Sequence, residues 1–175
     1  MTRTLNSSSN RPFRPLNRRE QTAVIVLLAF LLVGAWLPRR IIVATSGSLD
    51  HRVFFLLPAP AKVEPGDYLV FRHRDCAQIQ PGLRLNHDRM IKQAGCLAGD
   101  HLVVDDAHRF TCNGRPLGQA LETDSKGQTL PRFFHNGPVP ASKLFMVGTH
   151  PRSYDSRYFG FIDAHAILYQ ALPLW

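Results

Sequence analysis

The sequence predicts a mainly β fold: an antiparallel β-sheet domain preceded by one N-terminal apolar helix. Three observations predict it. After residue 40 the apolar residues come in short runs of strand character, with no helical periodicity of useful length. Turn-forming pairs built on proline, glycine, asparagine and aspartate separate those runs. Before residue 40 a single stretch, Thr22 to Leu37, runs sixteen residues without a charge.

The expected strands are Ile41–Ala44, Val53–Leu57, Tyr68–Phe71, Arg89–Ala94, Leu102–Val104, Leu144–Val147 and Ala166–Tyr169. Between them stand Pro58-Ala59-Pro60, Pro65-Gly66-Asp67, Pro81-Gly82, Ala98-Gly99-Asp100, Asn113-Gly114 and Asn136-Gly137. The chain carries no internal repeat. Its 175 residues suffice for one domain with a real core plus a short extra segment.

The apolar run is slightly shorter than the roughly 17–25 residues of a spanning helix. Gln21 and Pro38 extend it, Arg19 and Arg39 can snorkel outward, and Trp36 suits an interface. A buried core helix would need a polar face, which the run lacks. Val33-Gly34-Ala35 offers a small-x-small cleavage site, but Trp36, Leu37 and the long basic leader favour an uncleaved anchor. Arg18-Arg19 is a twin arginine pair in a poor context for an export signal. The five arginines before the run place the N-terminus in the cytoplasm and the rest outside it. The expected organisation is a disordered cytoplasmic tail over 1–20, a single-pass inner-membrane anchor over 21–38 and a periplasmic domain over 39–175.

A formal net charge of +8 invites a nucleic-acid reading, but the distribution argues against it. Residues 1–40 carry seven arginines and one acid, whereas the remaining 135 residues carry fourteen basic and twelve acidic groups. The basic excess flanks the apolar run, where it sets topology and offers no phosphate-binding face. Expected partners are therefore the lipid bilayer and a membrane-bound protein, not nucleic acid.

An extracytoplasmic domain permits disulfides. Cys76, Cys96 and Cys112 are odd in number, so at most one pair forms within a monomer. Cys96 and Cys112 flank a stretch resembling a strand pair and are the preferred couple; three free thiols are the alternative.

Several common sites are missing: no metal-protease His/Glu spacing, no Gly-x-Ser-x-Gly elbow, no phosphate loop. The eight histidines are scattered, so neither metal nor cofactor is expected. Three segments can carry chemistry. Ser46-Gly47-Ser48 follows the apolar run; alone it is an ordinary turn, and its serine needs a base to act as a nucleophile. In Arg89-Met90-Ile91-Lys92-Gln93-Ala94-Gly95, a strand would put Met90, Lys92 and Ala94 on one face. Burial between apolar neighbours lowers a lysine pKa, as a lysine base requires, although a snorkelling surface lysine is the ordinary outcome. Gly148 to Gly160 gathers Ser153, Ser156, Asp155, Arg152 and Arg157 in what is otherwise a polar loop. A hydroxyl there can orient a neutral lysine, and Asp155 with Arg152 or Arg157 can brace the site.

Together and in this order, the three segments resemble the signal peptidase I family of serine peptidases. Ser46-Gly47-Ser48-Leu49 is similar to its Ser-x-Ser-Met box, with leucine for methionine. Lys92 with Gly95-Cys96-Leu97-Ala98-Gly99-Asp100 is similar to its lysine box, with Ala98 for proline. Ser153, Asp155, Ser156, Arg157 and Gly160 match its last box. Pro65-Gly66-Asp67 and Asn113-Gly114-Arg115-Pro116-Leu117 also look familial, so the resemblance covers roughly residues 20–165. Where the family usually carries a proline after the nucleophile box, this chain has Asp50-His51-Arg52.

The resemblance implies a signal-peptidase-like, mostly β catalytic domain lying on the membrane. It implies Ser48 as nucleophile, Lys92 as general base, and Ser46 with the Ser48 N–H as the oxyanion hole. Ser153 would align the lysine, with Asp155 and Arg157 supporting it. The small size and the Ser153–Gly160 loop look most like the TraF-type peptidases of conjugative transfer, which mature pilin subunits and in some cases join the pilin ends. The implied partner is a pilin or another signal-peptide-bearing precursor. A housekeeping signal peptidase and a non-catalytic anchored β module of an envelope assembly are the alternatives. Phe54-Phe55-Leu56-Leu57 is expected either to present an apolar face to the bilayer or to be buried on both faces.

Overall fold

The computed structural model describes residues 16–72 and 89–175. Cys76, the Pro81-Gly82 turn and residues 1–15 of the expected tail lie outside the described residues. The chain divides into two compact units after Arg39.

The first unit holds helix α1, Arg18–Trp36. It starts three residues before the expected anchor, so residues 18–20 belong to the helix and not to a disordered tail. The reason is a capping box. Asn17 accepts the Glu20 N–H at 2.9 Å through its side chain, and the Glu20 carboxylate accepts the Asn17 N–H at 2.8 Å. A 3-10 turn over Leu37–Arg40 follows, where Pro38 supplies no N–H to continue an α-helix. Over these 23 residues the segment is long and apolar enough to cross a membrane, and none of its apolar window is buried.

The second unit is antiparallel β. One sheet has seven strands in the order β1-β2-β11-β3-β4-β9-β10. Their ranges are Ile41–Val43 (β1), Val53–Pro58 (β2), Tyr68–Arg72 (β3), Arg89–Cys96 (β4), Lys143–Val147 (β9), Ile162–Asp163 (β10) and Ile167–Pro173 (β11). The other has four, ordered β7-β6-β5-β8: Arg115–Gln119, Arg109–Cys112, His101–Val104 and Gly137–Pro138. All seven expected strands are present within a few residues. β6, β7, β8 and β10 were not expected. The Asn113-Gly114 turn joins β6 to β7 with both residues at positive φ, 49° and 79°, as the tightest hairpin turns require.

Three apolar clusters form the core. One packs Leu102, Val104, Phe110 and Cys112 of the smaller sheet against Phe145, Val147 and Tyr158. A second gathers Leu69, Phe71, Ala94, Leu144, Met146, Phe159 and Ile162. The third gathers Leu49, Phe54, Leu56, Tyr68, Val70 and Ala171. In β2 the alternation is clear: Phe54 and Leu56 are buried, and Phe55 and Leu57 are half-buried.

Cys96 and Cys112 form a disulfide across a Cα–Cα distance of 5.7 Å, so the reading of three free thiols does not hold. It joins the end of β4 to β6 in the other sheet. Asp100 converges on the same two cysteines, but with both sulfurs bonded no thiolate remains for a metal. With the cysteines 16 positions apart in sequence, replacing both by serine is expected to lower stability by about 3 kcal/mol. Chemical denaturation of the two proteins measures this; equal midpoints would show that the crosslink is energetically idle.

Candidate active site

Three structural segments bring the predicted residues together. Ser46 and Ser48 lie on a turn after β1, with Ser46 exposed and Ser48 half-buried. Lys92 sits in β4, paired across from Leu69 of β3. Its side chain shares a face with Met90 and Ala94, and only 4% of it is exposed. Ser153, also buried, stands just before α2, the single-turn helix Ser156–Phe159.

The polar atoms form one chain. Lys92 Nζ lies 2.7 Å from Ser48 Oγ and 2.9 Å from Ser153 Oγ, donating to both. Ser46 Oγ lies 2.9 Å from Ser48 Oγ. Burial is the largest influence on Lys92, because a charged amine loses its hydration there. Asp155 partly opposes this and Arg157 adds to it, leaving the amine pKa lowered to about 8. Such an amine has an accessible neutral form and can take a proton from a hydroxyl within hydrogen-bond reach.

Behind Ser153 is a buried ion pair. Arg157 donates from Nε to Asp155 Oδ1 at 2.8 Å and from Nη2 to Oδ2 at 2.7 Å, a two-pronged contact. The Asp155 carboxylate also accepts the N–H of Gly148 at 2.8 Å and of Arg157 at 3.2 Å, which caps α2. The remaining Arg157 donors reach the carbonyls of Ser153 at 3.3 Å and Gln119 at 3.1 Å. Ser156 Oγ accepts the Met146 N–H at 2.8 Å, tying α2 to β9.

Glycine is required where these parts meet. A methyl group on Gly148 would collide with the Ser153 side chain and lie 2.7 Å from the Ser48 carbonyl oxygen. One on Gly118 would lie 2.7 Å from Arg157 Nη1, at a φ of +104°. The Gly99-Asp100 turn has a supporting part: Asp100 accepts the Leu97 N–H and the Asn113 side-chain amide, both at 2.9 Å.

Ser46, Ser48, Lys92, Ser153, Asp155 and Arg157 are thus contiguous. Arg152, offered as a possible partner for Asp155, is exposed, and the ion pair is made by Arg157. The Gly118-Gln119 contact with Arg157 had no sequence signal, because it depends on how β7 lies against α2. A cavity of about 240 Å³, lined by Leu121, Leu130, Arg152, Tyr154 and Tyr158 among others, includes none of the Ser48–Lys92–Ser153 chain.

The antiparallel β domain thus sets a serine hydroxyl against a buried amine. A family model described as "Signal peptidase, peptidase S26" matches residues 18–175, and the chain belongs to that family. A conjugal transfer protein TraF from Agrobacterium fabrum is 34% identical over 88 residues, which is 49% of this chain and 48% of that protein. The match therefore spans about half of each. A crystal structure of a signal peptidase I from Enterococcus faecalis is 23% identical, covering 61% of this chain and 93% of that one, with a TM-score of 0.38.

Proposed function

We propose that the protein is a membrane-anchored Ser/Lys endopeptidase that matures exported precursors, with pilin or other conjugative transfer proteins as its substrates. The observation that carries this is the Ser48–Lys92–Ser153 hydrogen-bonded chain around an amine with a lowered pKa. Family membership and the TraF likeness support the reaction and substrate class. α1 serves as the anchor, with the N-terminal arginines in the cytoplasm and the β unit in the periplasm.

The chemistry runs in two steps. Ser48 Oγ attacks the scissile carbonyl carbon while Lys92, neutral, accepts the hydroxyl proton. Ser46 Oγ–H and the Ser48 N–H stabilise the oxyanion. The intermediate collapses as Lys92 returns the proton to the leaving amine, and an ester on Ser48 remains. Water then attacks that ester; a second amine in its place would close a peptide bond instead. Ser153 holds the amine in line throughout.

The test is maturation of a candidate pilin precursor by the full chain in bilayers, followed by mass spectrometry. Loss of an N-terminal segment is the expected result. A cyclised product would be one water lighter than the linear one. The rate supplies a second readout. Because the neutral lysine is the active form, kcat/KM rises with pH and half-saturates near pH 8. No maturation, or a rate that falls as pH rises through this range, would overturn the proposal.

A further inference from the structure

We infer that Asp50 and Tyr68 are positioning residues that hold the backbone of Ser48 in register with Lys92; this rests on the Ser/Lys reading above. Tyr68 Oη donates to Asp50 Oδ1 at 2.7 Å. Asp50 follows the nucleophile by two residues, and Tyr68 begins β3, the strand beside the one that carries Lys92.

The faces of that strand pair explain the need. Leu69 pairs with Lys92, and Tyr68 pairs with Gln93. Side chains alternate along a strand, so Tyr68 projects from the face opposite Lys92. The clusters agree: Leu69 packs with Phe71 and Ala94, whereas Tyr68 packs with Leu49, Phe54 and Val70. Consecutive parts of one turn are therefore gripped from two sides. Lys92 holds Ser48 on one face, and Tyr68 holds Asp50 on the other, with Leu49 buried between them.

The turn is closed at its base, where the Ala44 N–H donates to the Arg52 carbonyl at 2.7 Å, but its tip is less constrained. Gly47 has open space where a side chain would be. The Ser48 carbonyl accepts the His150 N–H at 3.2 Å, near the long end of the usual range. Tyr68 itself is well fixed: its ring lies 5.2 Å from Phe54 and 5.9 Å, edge-on, from His51. The second carboxylate oxygen of Asp50 faces His51 Nε2 at 4.0 Å. The charge states agree with the geometry. The Tyr68 hydrogen bond is the main reason the Asp50 carboxyl pKa is lowered. Burial first, and then that bond, raise the Tyr68 hydroxyl. Phenol and carboxylate thus keep their donor and acceptor forms across the working range.

Steady-state precursor cleavage by the full chain in bilayers tests this, with rates normalised to the folded fraction from a thermal melt. Tyr68→Phe keeps the ring and removes only the donor. It is expected to lower kcat about tenfold and to leave KM within about twofold, because the error lies in alignment and not in substrate binding. Asp50→Ala should behave alike. Asp50→Asn, which still offers an acceptor, should recover most of the loss. Tyr68→Phe with Asp50→Ala should be no worse than either alone. Unchanged kcat in both single variants, losses that multiply, or an asparagine no better than alanine would overturn the inference. Ser48→Ala separates it from the reading beneath: activity surviving there sinks the Ser/Lys assignment. An inactive Ser48→Ala beside an unimpaired Tyr68→Phe sinks only the Asp50–Tyr68 role.

Discussion

Lys92→Ala and Ser48→Ala are each expected to lower precursor cleavage by about 10⁴-fold or more, because the proposed nucleophile and base would act as a unit. At Lys92, activity and stability are expected to move apart. Lys92 is 4% exposed, and its pKa is lowered from 10.5 to about 8. The protonated amine is therefore disfavoured in the fold relative to the unfolded chain. Between pH 8 and 10.5 the unfolded state binds more protons, so this lysine makes the protein more stable as pH rises through that window. At neutral pH the difference is a penalty of roughly 3 kcal/mol, offset in part by the hydrogen bonds to Ser48 and Ser153. Lys92→Met, which fills the site without a charge, should abolish cleavage and unfold at the same or a higher denaturant concentration at pH 7. A variant that is both destabilised and active would show that the lysine is there for the fold and not for the chemistry.

Arg157→Ala carries the second large effect, and here stability is the readout. It leaves the Asp155 carboxylate, fully buried, without its partner. Breaking one side of a buried pair costs about 3–5 kcal/mol. Replacing Arg157 also removes the donors to the Ser153 and Gln119 carbonyls, so the loop that aligns Lys92 loses its brace. A drop in melting temperature of roughly 10 °C should accompany the loss of cleavage. A shift within a degree would mean that water replaces the guanidinium and that the pair does not hold the loop.

The parts of this molecule set by local chemistry were legible in the sequence. β1 to β5, β9 and β11 were marked by their apolar runs and turn pairs, and the face of Lys92 followed from strand alternation. The site residues were legible because Ser48, Lys92 and Ser153 each lie in a segment with its own pattern. What was not legible depends on pairing at a distance. β8 and β10 are two residues each and exist only because β5 and β9 offer them edges. β7, with Gly118 in its interior, has weak strand character of its own and is held by the hairpin with β6. The Arg157 contacts with β7 and the Asp50–Tyr68 bond join segments that no local rule connects. The start of α1 was missed for a smaller reason: Asn17 and Glu20 read as a polar tail until their capping geometry is considered.

β11 follows β2 and β3 in sequence, yet it lies between them near the middle of the seven-stranded sheet. Without it, the hairpin closed by the Ser48 turn and the strands that carry Lys92 have no shared edge. The many pairings between residues far apart in sequence also make folding slow. A single break in β11 would part the Ser48 turn from the Lys92 strand by opening the sheet near its middle.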